Sequence, residues 1–156
     1  MFTINNKISE IKKISKALTA FGEENRLPAQ VICDAHLALE EIVVNIISYG
    51  FKDGDKHSIA INFELDGREL ILEVQDEAPS FNPLEAPMPD MNTPVEERAV
   101  GGLGIYLVRK IMDKVEYHRK GGKNILIMRK TIIPEEERAG STQSGHPKRD
   151  PRDPVD

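Results

Sequence analysis

The chain has 156 residues, 39% of them hydrophobic, which is sufficient for one folded domain with its own core. Its formal net charge of -5 argues against nucleic acid as the main partner, because phosphate backbones recruit basic surfaces. The single cysteine, Cys33, excludes an internal disulfide and a cysteine-cluster metal site, and the sequence has neither a membrane-length apolar run nor a signal-peptide pattern, so we expect a cytoplasmic protein without membrane contact.

The first third of the chain predicts a short strand and two helices. Residues 2–4 alternate between hydrophobic and polar, as in a strand. Hydrophobic residues then recur every three or four positions from Ile8 to Phe21, which marks the buried face of an amphipathic helix. A second helix should begin at Pro28, because a missing amide is harmless in a first turn, and run to about Tyr49.

A hairpin and a long loop follow. Residues 59–65 and 70–74 alternate in hydrophobicity, and Asp66 and Gly67 between them predict a tight turn. Residues 77–100 contain five prolines and have no sustained period. A loop of this length in a compact domain is usually functional or mobile, so we expect a lid.

The last part of the chain predicts a helix and a second hairpin. The helix follows the glycine-rich start of "GGLGIYLVRK", residues 101–110, and should end at about Met112. Strands at 115–119 and 125–133 are joined by "GGKN", which is typical of a hairpin turn.

This element order predicts an α+β fold, a two-layer sandwich in which helices pack on one face of a mixed, mostly antiparallel sheet. The folded unit should comprise residues 1–133. Residues 134–156 are rich in proline and charge and have one large aliphatic residue, so we expect a disordered tail.

Three glycines in the four positions 101–104 stand where a helix must start. Glycine there costs backbone entropy, so the site requires unusual dihedrals or a backbone without side chains in the way. Exposed amides at a helix start, with the positive end of the helix dipole behind them, form an anion site suited to phosphate. A tight turn before the helix is the alternative interpretation.

The second helix carries a polar stripe. Glu41 and Asn45 are four residues apart and stack on one face, and Asp34 and Ser48 fall on the same stripe. The remaining circumference is aliphatic, which favours a cleft lining over a solvated face. A carboxylate and a carboxamide on one face can poise a hydroxyl and hold a hydrated Mg²⁺. Asp76, at the end of a predicted strand, could accept a hydrogen bond from an exocyclic amine such as that of adenine.

These motifs resemble a known family. The E-x-x-x-N of Glu41 and Asn45, Asp76 within "VQDEAPSFNP", and "GGLGIYLVRKIMDKVEY" correspond in order to the nucleotide-binding boxes of the Bergerat-fold (GHKL) ATPases, which include gyrases, heat-shock chaperones and histidine kinases. The resemblance covers roughly residues 28–131. It is closest to the small stand-alone serine kinases that act as bacterial anti-sigma factors.

The resemblance implies a role for each box residue. Asn45 would help to coordinate Mg²⁺, Glu41 would act as general base toward the acceptor hydroxyl, and Asp76 would recognise adenine. Arg98 would be a charge-stabilising lid residue. The third box, which would approach the triphosphate, comprises Gly101, Gly102, Leu103 and Gly104.

The second box departs from the pattern of the wider superfamily, which is D-x-G-x-G. Ala78 and Ser80 stand at its two glycine positions and make the segment stiffer.

The function implied is that of an ATP-dependent protein serine/threonine kinase that acts as an anti-sigma regulatory factor and phosphorylates a STAS-type antagonist. The expected partners are ATP with Mg²⁺, a sigma factor and the STAS-domain protein, and the resemblance is compatible with a homodimer. The alternative from a different class is a non-catalytic, ATP-gated binding module. A histidine kinase fragment is disfavoured because no phosphoacceptor domain accompanies the boxes.

Overall fold

The computed structural model describes residues 1–85 and 103–133, which form one five-stranded sheet and a layer of three α-helices. The strands are β1 (Phe2–Asn5), β2 (Ser58–Asp66), β3 (Glu69–Asp76), β4 (Lys114–Lys120) and β5 (Lys123–Thr131). The helices are α1 (Ile11–Glu24), α2 (Ala29–Asn45) and α3 (Leu103–Ile111). Short 3₁₀ turns lie at Ile8–Glu10 and Pro83–Glu85, and a π-helical turn at Ile46–Gly50 extends α2. The predicted α+β class is confirmed.

The sheet has the strand order β1-β2-β3-β5-β4. All four strand pairings in the described part of the chain are antiparallel. The expectation of a mixed, mostly antiparallel sheet is corrected in this respect. The central pairing of β3 with β5 sets Asp76 opposite Asn124. The β4–β5 hairpin turns at Gly121 and Gly122, whose φ angles of +59° and +80° favour glycine.

The β2–β3 hairpin is confirmed, but its turn lies one residue later than predicted. Asp66 is the last residue of β2 and pairs with Glu69, which leaves Gly67 and Arg68 as the turn. Gly67 has a φ of +57°. The glycine therefore takes the first position of the turn, where a positive φ is needed, and the aspartate stays in the ladder.

The buried face of the first helix begins later in the chain than the sequence predicted. Ile14 and Leu18 of α1 are buried in the core, whereas Ile8 is 55% exposed. The cause is local: Ile8 lies in a separate 3₁₀ turn, whose three-residue period rotates it away from the stripe of α1.

Helix α2 is the centre of the helix layer and contacts both α1 and α3. The core lies between this layer and the inward face of the sheet. Inward residues alternate along β3 and β5, as period-two strands require. The largest completely buried side chains are Leu18, Val31, Leu39, Val43, Ile59, Ile61, Leu70, Leu72, Val74, Val108 and Met128.

An ion pair ties the helix layer to the sheet. The Lys130 ammonium on β5 lies 2.9 Å from a carboxylate oxygen of Asp34 on α2, with the two side chains 16% and 15% exposed. Lys130 also donates to the carbonyl of Ile111 at the end of α3. Asp34 is thus level with Ile111, whereas Glu41 lies against Gly104 at the start of α3. Helices α2 and α3 therefore run antiparallel.

Several predictions concern residues outside the described ranges. The lid expected within 77–100 is described only as far as Glu85, and the tail predicted at 134–156 lies wholly outside. Among the helices that the structure describes, none has the length and apolar character needed to cross a membrane.

The Asp34–Lys130 pair generates a stability prediction. Lys130→Met should lower the free energy of unfolding by about 1–3 kcal/mol, because it leaves a mostly buried carboxylate without its cation. The matched control is Lys123→Met on the same strand, where the lysine pairs with Glu77 at 3.5 Å on an exposed surface and should contribute less than about 0.5 kcal/mol. Urea denaturation measures both variants. If Lys130→Met is as stable as Lys123→Met, the Asp34–Lys130 pair does not stabilise the fold more than a surface ion pair.

Candidate functional site

A cavity of about 780 Å³ opens between the C-terminal end of α2 and the adjoining ends of β3 and β5. This volume is within the range of about 300–1,000 Å³ that is typical of small-molecule sites. Its apolar wall comprises Ile42, Ile46, Val74, Ile105 and Leu126. Tyr49 and Phe81 also line it, and both are exposed. The cavity can enclose a flat apolar ring and leaves its edges to the few polar side chains.

Asp76 is the buried carboxylate of this cavity, with 5% of its surface exposed. Its Oδ1 accepts two hydrogen bonds, from the Ala78 backbone N–H at 2.8 Å and from the Asn124 carboxamide at 2.8 Å. Its Oδ2 has no hydrogen-bond partner within residues 1–85 and 103–133. Asp76 lines the cavity, and Oδ2 is its carboxylate oxygen without a partner among these residues. It is available as an acceptor for a ligand.

Asn124 orients Asp76, and no role was predicted for it from the sequence. Its Nδ2 also donates to the carbonyls of Ala78 and Pro79, at 3.2 and 3.3 Å. Its Oδ1 accepts from the Tyr117 hydroxyl and from the Arg119 guanidinium, both at 2.7 Å. All the hydrogen-bonding groups of this carboxamide are therefore engaged, which fixes its direction.

A signal for Asn124 was present in the sequence. Asn124, Leu126 and Met128 are the buried residues of β5 and alternate along it. An amide at the head of an otherwise apolar inward face indicates a polar partner in the interior. The prediction missed it because "GGKN" was assigned to the turn, whereas β5 begins at Lys123.

The segment after Asp76 has space for Ala78 and Ser80, the two residues that replace the glycines of the superfamily pattern. Ala78 is buried, and its carbonyl accepts a hydrogen bond of 2.8 Å from Arg119. A Cβ on Gly50 would lie 3.2 Å from the Cβ of Ala78, so the alanine methyl fits because Gly50 has no side chain. Ser80, at the second position, lies 3.2 Å from the Tyr117 hydroxyl.

The four residues of the polar stripe of α2 lie in four different environments. Asn45 lines the cavity, whereas Glu41, one turn earlier, is half-buried beside α3. Asp34 is not in the cleft, because it pairs with Lys130. Ser48 is exposed and does not line the cavity. The predicted four-residue cleft lining is therefore wrong for Asp34 and Ser48.

Glu41 and Gly104 are in close contact. A Cβ built on Gly104 would overlap a carboxylate oxygen of Glu41, so this position tolerates no side chain unless Glu41 moves. The next residue of α3, Ile105, lines the cavity. Glu41 does not itself line the cavity but packs against the start of α3, where an anionic ligand group would approach helix amides.

The remaining predicted site residues are only partly visible. Leu103 is 52% exposed at the start of α3. Arg98, Gly101 and Gly102 lie outside the described residues.

The segment that follows α2 forms a polar rim of the cavity. The rings of Phe51 and His57 stack with centroids 4.0 Å apart, and His57 Nε2 lies 2.8 Å from the Asp53 carboxylate. This hydrogen bond lowers the pKa of Asp53 below its ordinary value. Lys52 lines the same rim, which therefore presents both signs of charge.

The donor set near the cavity limits how a metal could bind. In the part of the chain that the structure describes, no three His, Cys, Asp or Glu residues are grouped as a metal site. Asn45 offers one carboxamide oxygen, and Glu41 lies one turn away. This set fits Mg²⁺ only as a hydrated ion shared with ligand phosphates, which is the usual way in which Mg²⁺ binds in nucleotide sites.

Comparison with known proteins agrees with this geometry. A family described as histidine kinase-like ATPase domain matches residues 4–130. The serine-protein kinase RsbW of Bacillus cereus is 33% identical over 116 residues, which cover 70% of this chain and 72% of that protein. The serine/threonine-protein kinase BtrW of Bordetella bronchiseptica is 28% identical over 99 residues, which cover 64% and 70%.

Solved structures support the fold. The RsbU and RsbW domains of Rv1364c from Mycobacterium tuberculosis match with a TM-score of 0.55 and 13% identity, over 86% of this chain and 34% of that one. The histidine kinase domain of a blue-light activated kinase from Erythrobacter litoralis matches with a TM-score of 0.54, over 86% and 64%. The match thus spans about a third of the first structure. The family match over residues 4–130 and the 33% identity to RsbW establish that the chain belongs to the histidine kinase-like ATPase domain family.

Proposed function

We propose that this protein is an ATP-dependent serine/threonine kinase that acts as an anti-sigma factor and phosphorylates a STAS-domain antagonist. The observation that carries the proposal is Asp76, a buried carboxylate that lines a cavity of nucleotide size and has one oxygen fixed by two hydrogen bonds. The kinase names of the relatives and the resemblance to anti-sigma kinases support the choice of reaction and partners.

Adenine would lie in the apolar part of the cavity, with its exocyclic amine donating to Oδ2 of Asp76. Guanine presents an acceptor oxygen at the corresponding position, which a carboxylate repels. Because Oδ1 is held by Ala78 and Asn124, the carboxylate does not need to reorganise when the base binds.

The triphosphate would extend from the base toward the start of α3. Asn45 lines this path and would share Mg²⁺ with phosphate oxygens and water. Gly104, with the remainder of the third box at Gly101, Gly102 and Leu103, would bring backbone amides close to the phosphates, and Arg98 would pair with their charge.

Glu41 would act at the acceptor. Its carboxylate takes the proton of a serine or threonine hydroxyl while that oxygen forms a bond to the γ-phosphorus. The bond between the γ-phosphorus and the β–γ bridging oxygen breaks, and ADP leaves with the electron pair. The contact of Glu41 with Gly104 supports this role, because the γ-phosphate would lie near the same helix start.

The first test compares Glu41→Ala with Asn45→Ala. Glu41→Ala should leave Mg·ATP affinity within a few-fold of wild type but lower phosphoryl transfer roughly 10²-fold or more, because a base acts on the acceptor rather than on bound nucleotide. Asn45→Ala should weaken Mg·ATP binding itself, and transfer should fall with it. Calorimetry and a labelled-ATP transfer assay measure the two properties, with circular dichroism as the folding control.

Transfer at the wild-type rate by Glu41→Ala would remove the general base from the proposal. If wild-type protein binds Mg·ATP but labels no acceptor, an ATP-gated binding module is the better account of the same site.

The second test addresses base recognition. Asp76→Asn should lower ATP affinity roughly 10- to 150-fold, the scale of one lost hydrogen bond to a charged group, and should remove most of the preference for ATP over GTP. Competition binding with both nucleotides measures this. Equal affinity of the wild type for ATP and GTP would refute the adenine assignment.

The third test separates positioning from recognition. Asn124→Ala removes a donor to Asp76 but no group that touches the base, so ATP should bind about 5- to 10-fold more weakly while the preference for ATP over GTP is kept. Ser80→Ala is the matched control: it removes a rim hydroxyl near Tyr117 and should leave ATP affinity unchanged within about twofold. Loss of the base preference in Asn124→Ala would contradict a pure positioning role.

A further inference from the structure

Arg119 is connected to Asp76 through two other residues and does not itself line the cavity. It lies on the edge strand β4, where the register sets it opposite Asn124 of β5. Tyr117, two positions earlier and thus on the same face of β4, does line the cavity. Any effect of Arg119 on a ligand in the cavity is therefore exerted through its neighbours.

One nitrogen of the Arg119 guanidinium binds both of the residues that orient Asp76. Its Nη1 donates to the Ala78 carbonyl at 2.8 Å and to Oδ1 of Asn124 at 2.7 Å. Ala78 and Asn124 are also the two residues whose N–H groups donate to Oδ1 of Asp76, each at 2.8 Å. The position of the carboxylate therefore depends on two donors that share a single support.

Arg119 decides which way the carboxamide of Asn124 faces. The Tyr117 hydroxyl, which also bonds to Oδ1 at 2.7 Å, can donate or accept, so it is compatible with either orientation of the amide. A guanidinium has only donors, so it requires the amide oxygen. With Oδ1 held in this way, Nδ2 faces Asp76, whereas the reverse orientation would set an oxygen against a carboxylate and an amine against a guanidinium.

The second contact of Arg119 fixes the backbone of Ala78. The N–H of this buried residue is bound to Asp76, and its carbonyl accepts from Arg119 and, at 3.2 Å, from Asn124. Both backbone polar groups of Ala78 are thus engaged, which holds the turn after Asp76 in one conformation. Arg119 therefore supports the backbone donor to Asp76 as well as the side-chain donor.

We propose that Arg119 is a positioning residue for base recognition, which holds Asn124 and Ala78 so that Asp76 presents its second oxygen to the exocyclic amine of adenine. The inference rests on the part of the proposed function that assigns adenine to Asp76, and it does not depend on phosphoryl transfer. A positioning role affects the contact with the amine alone. A general role in folding would affect every nucleotide to the same extent.

The test compares ATP with purine riboside triphosphate, in which a hydrogen replaces the 6-amino group. The wild-type protein should bind ATP about tenfold or more tightly than this analogue, because only ATP donates to Asp76. Arg119→Met keeps the length of the side chain and removes its donors. We expect its affinity for ATP to fall about 5- to 10-fold and its affinity for the analogue to stay within about twofold of wild type. Calorimetry in the presence of Mg²⁺ measures both affinities.

Lys120→Met is the matched control, because it removes the same charge from the next position of β4. Lys120 is exposed and, in the ranges that the structure describes, forms no hydrogen bond with Ala78 or Asn124, so both affinities should stay within about twofold of wild type. Arg119→Gln is a second variant. It should give the same selective loss for ATP, since a carboxamide can accept as well as donate and no longer requires one orientation of Asn124.

The outcomes separate this inference from the proposed function. If both Arg119 variants bind ATP as tightly as wild type, or lose ATP and the analogue to the same extent, the positioning role is overturned and the adenine assignment of Asp76 is kept. If the wild-type protein binds ATP and the analogue equally, the adenine assignment and the positioning role are both overturned.

Discussion

The buried carboxylate of Asp76 imposes the main constraint on this structure. A charge with 5% exposure is stable only if its oxygens are hydrogen-bonded or face a polar ligand. The fold satisfies one oxygen from two directions, with the Ala78 N–H from the following turn and the Asn124 carboxamide from the neighbouring strand. The pairing of β3 with β5, which sets Asp76 opposite Asn124, is therefore what turns a strand end into a directional acceptor.

Helix α2 carries the side chains that are proposed to hold Mg²⁺ and to activate the phosphoacceptor hydroxyl. Its C-terminal end carries Asn45 into the cavity, and one turn earlier it sets Glu41 against Gly104. The pair of Asp34 with Lys130 fixes the opposite end of the same helix to the sheet. Base recognition, phosphate approach and acceptor activation would thus all depend on the register of one helix against α3. A side chain at position 104 would displace the Glu41 carboxylate, so the glycine keeps Glu41 in its place against α3.

Local patterns in the sequence were sufficient to predict the helices and strands. The errors concern residues whose surroundings are set by tertiary contacts. Alternating hydrophobicity and turn glycines predicted both hairpins. The turn of the β2–β3 hairpin lies one residue later than predicted, because Gly67 readily takes a positive φ and Asp66 does not. The stripe on α2 grouped Asp34 with Glu41, although a lysine 96 positions further along the chain neutralises Asp34. The role of Asn124 was not predicted because its hydrogen-bond partner, Asp76, is 48 positions away in the sequence. Periodicity identifies which face a side chain occupies, but it does not identify the group opposite.

The proposed kinase reaction transfers the γ-phosphoryl group of ATP to a hydroxyl on a separate protein. The most direct measurement incubates the protein and the STAS-domain acceptor with Mg²⁺ and ATP labelled at either the γ or the α position. We expect γ-labelled ATP alone to label the acceptor, on serine or threonine, as an ester that is stable in acid. Label from the α position, acid-labile label of the phosphohistidine type on either protein, or no label in the presence of bound ATP would contradict it.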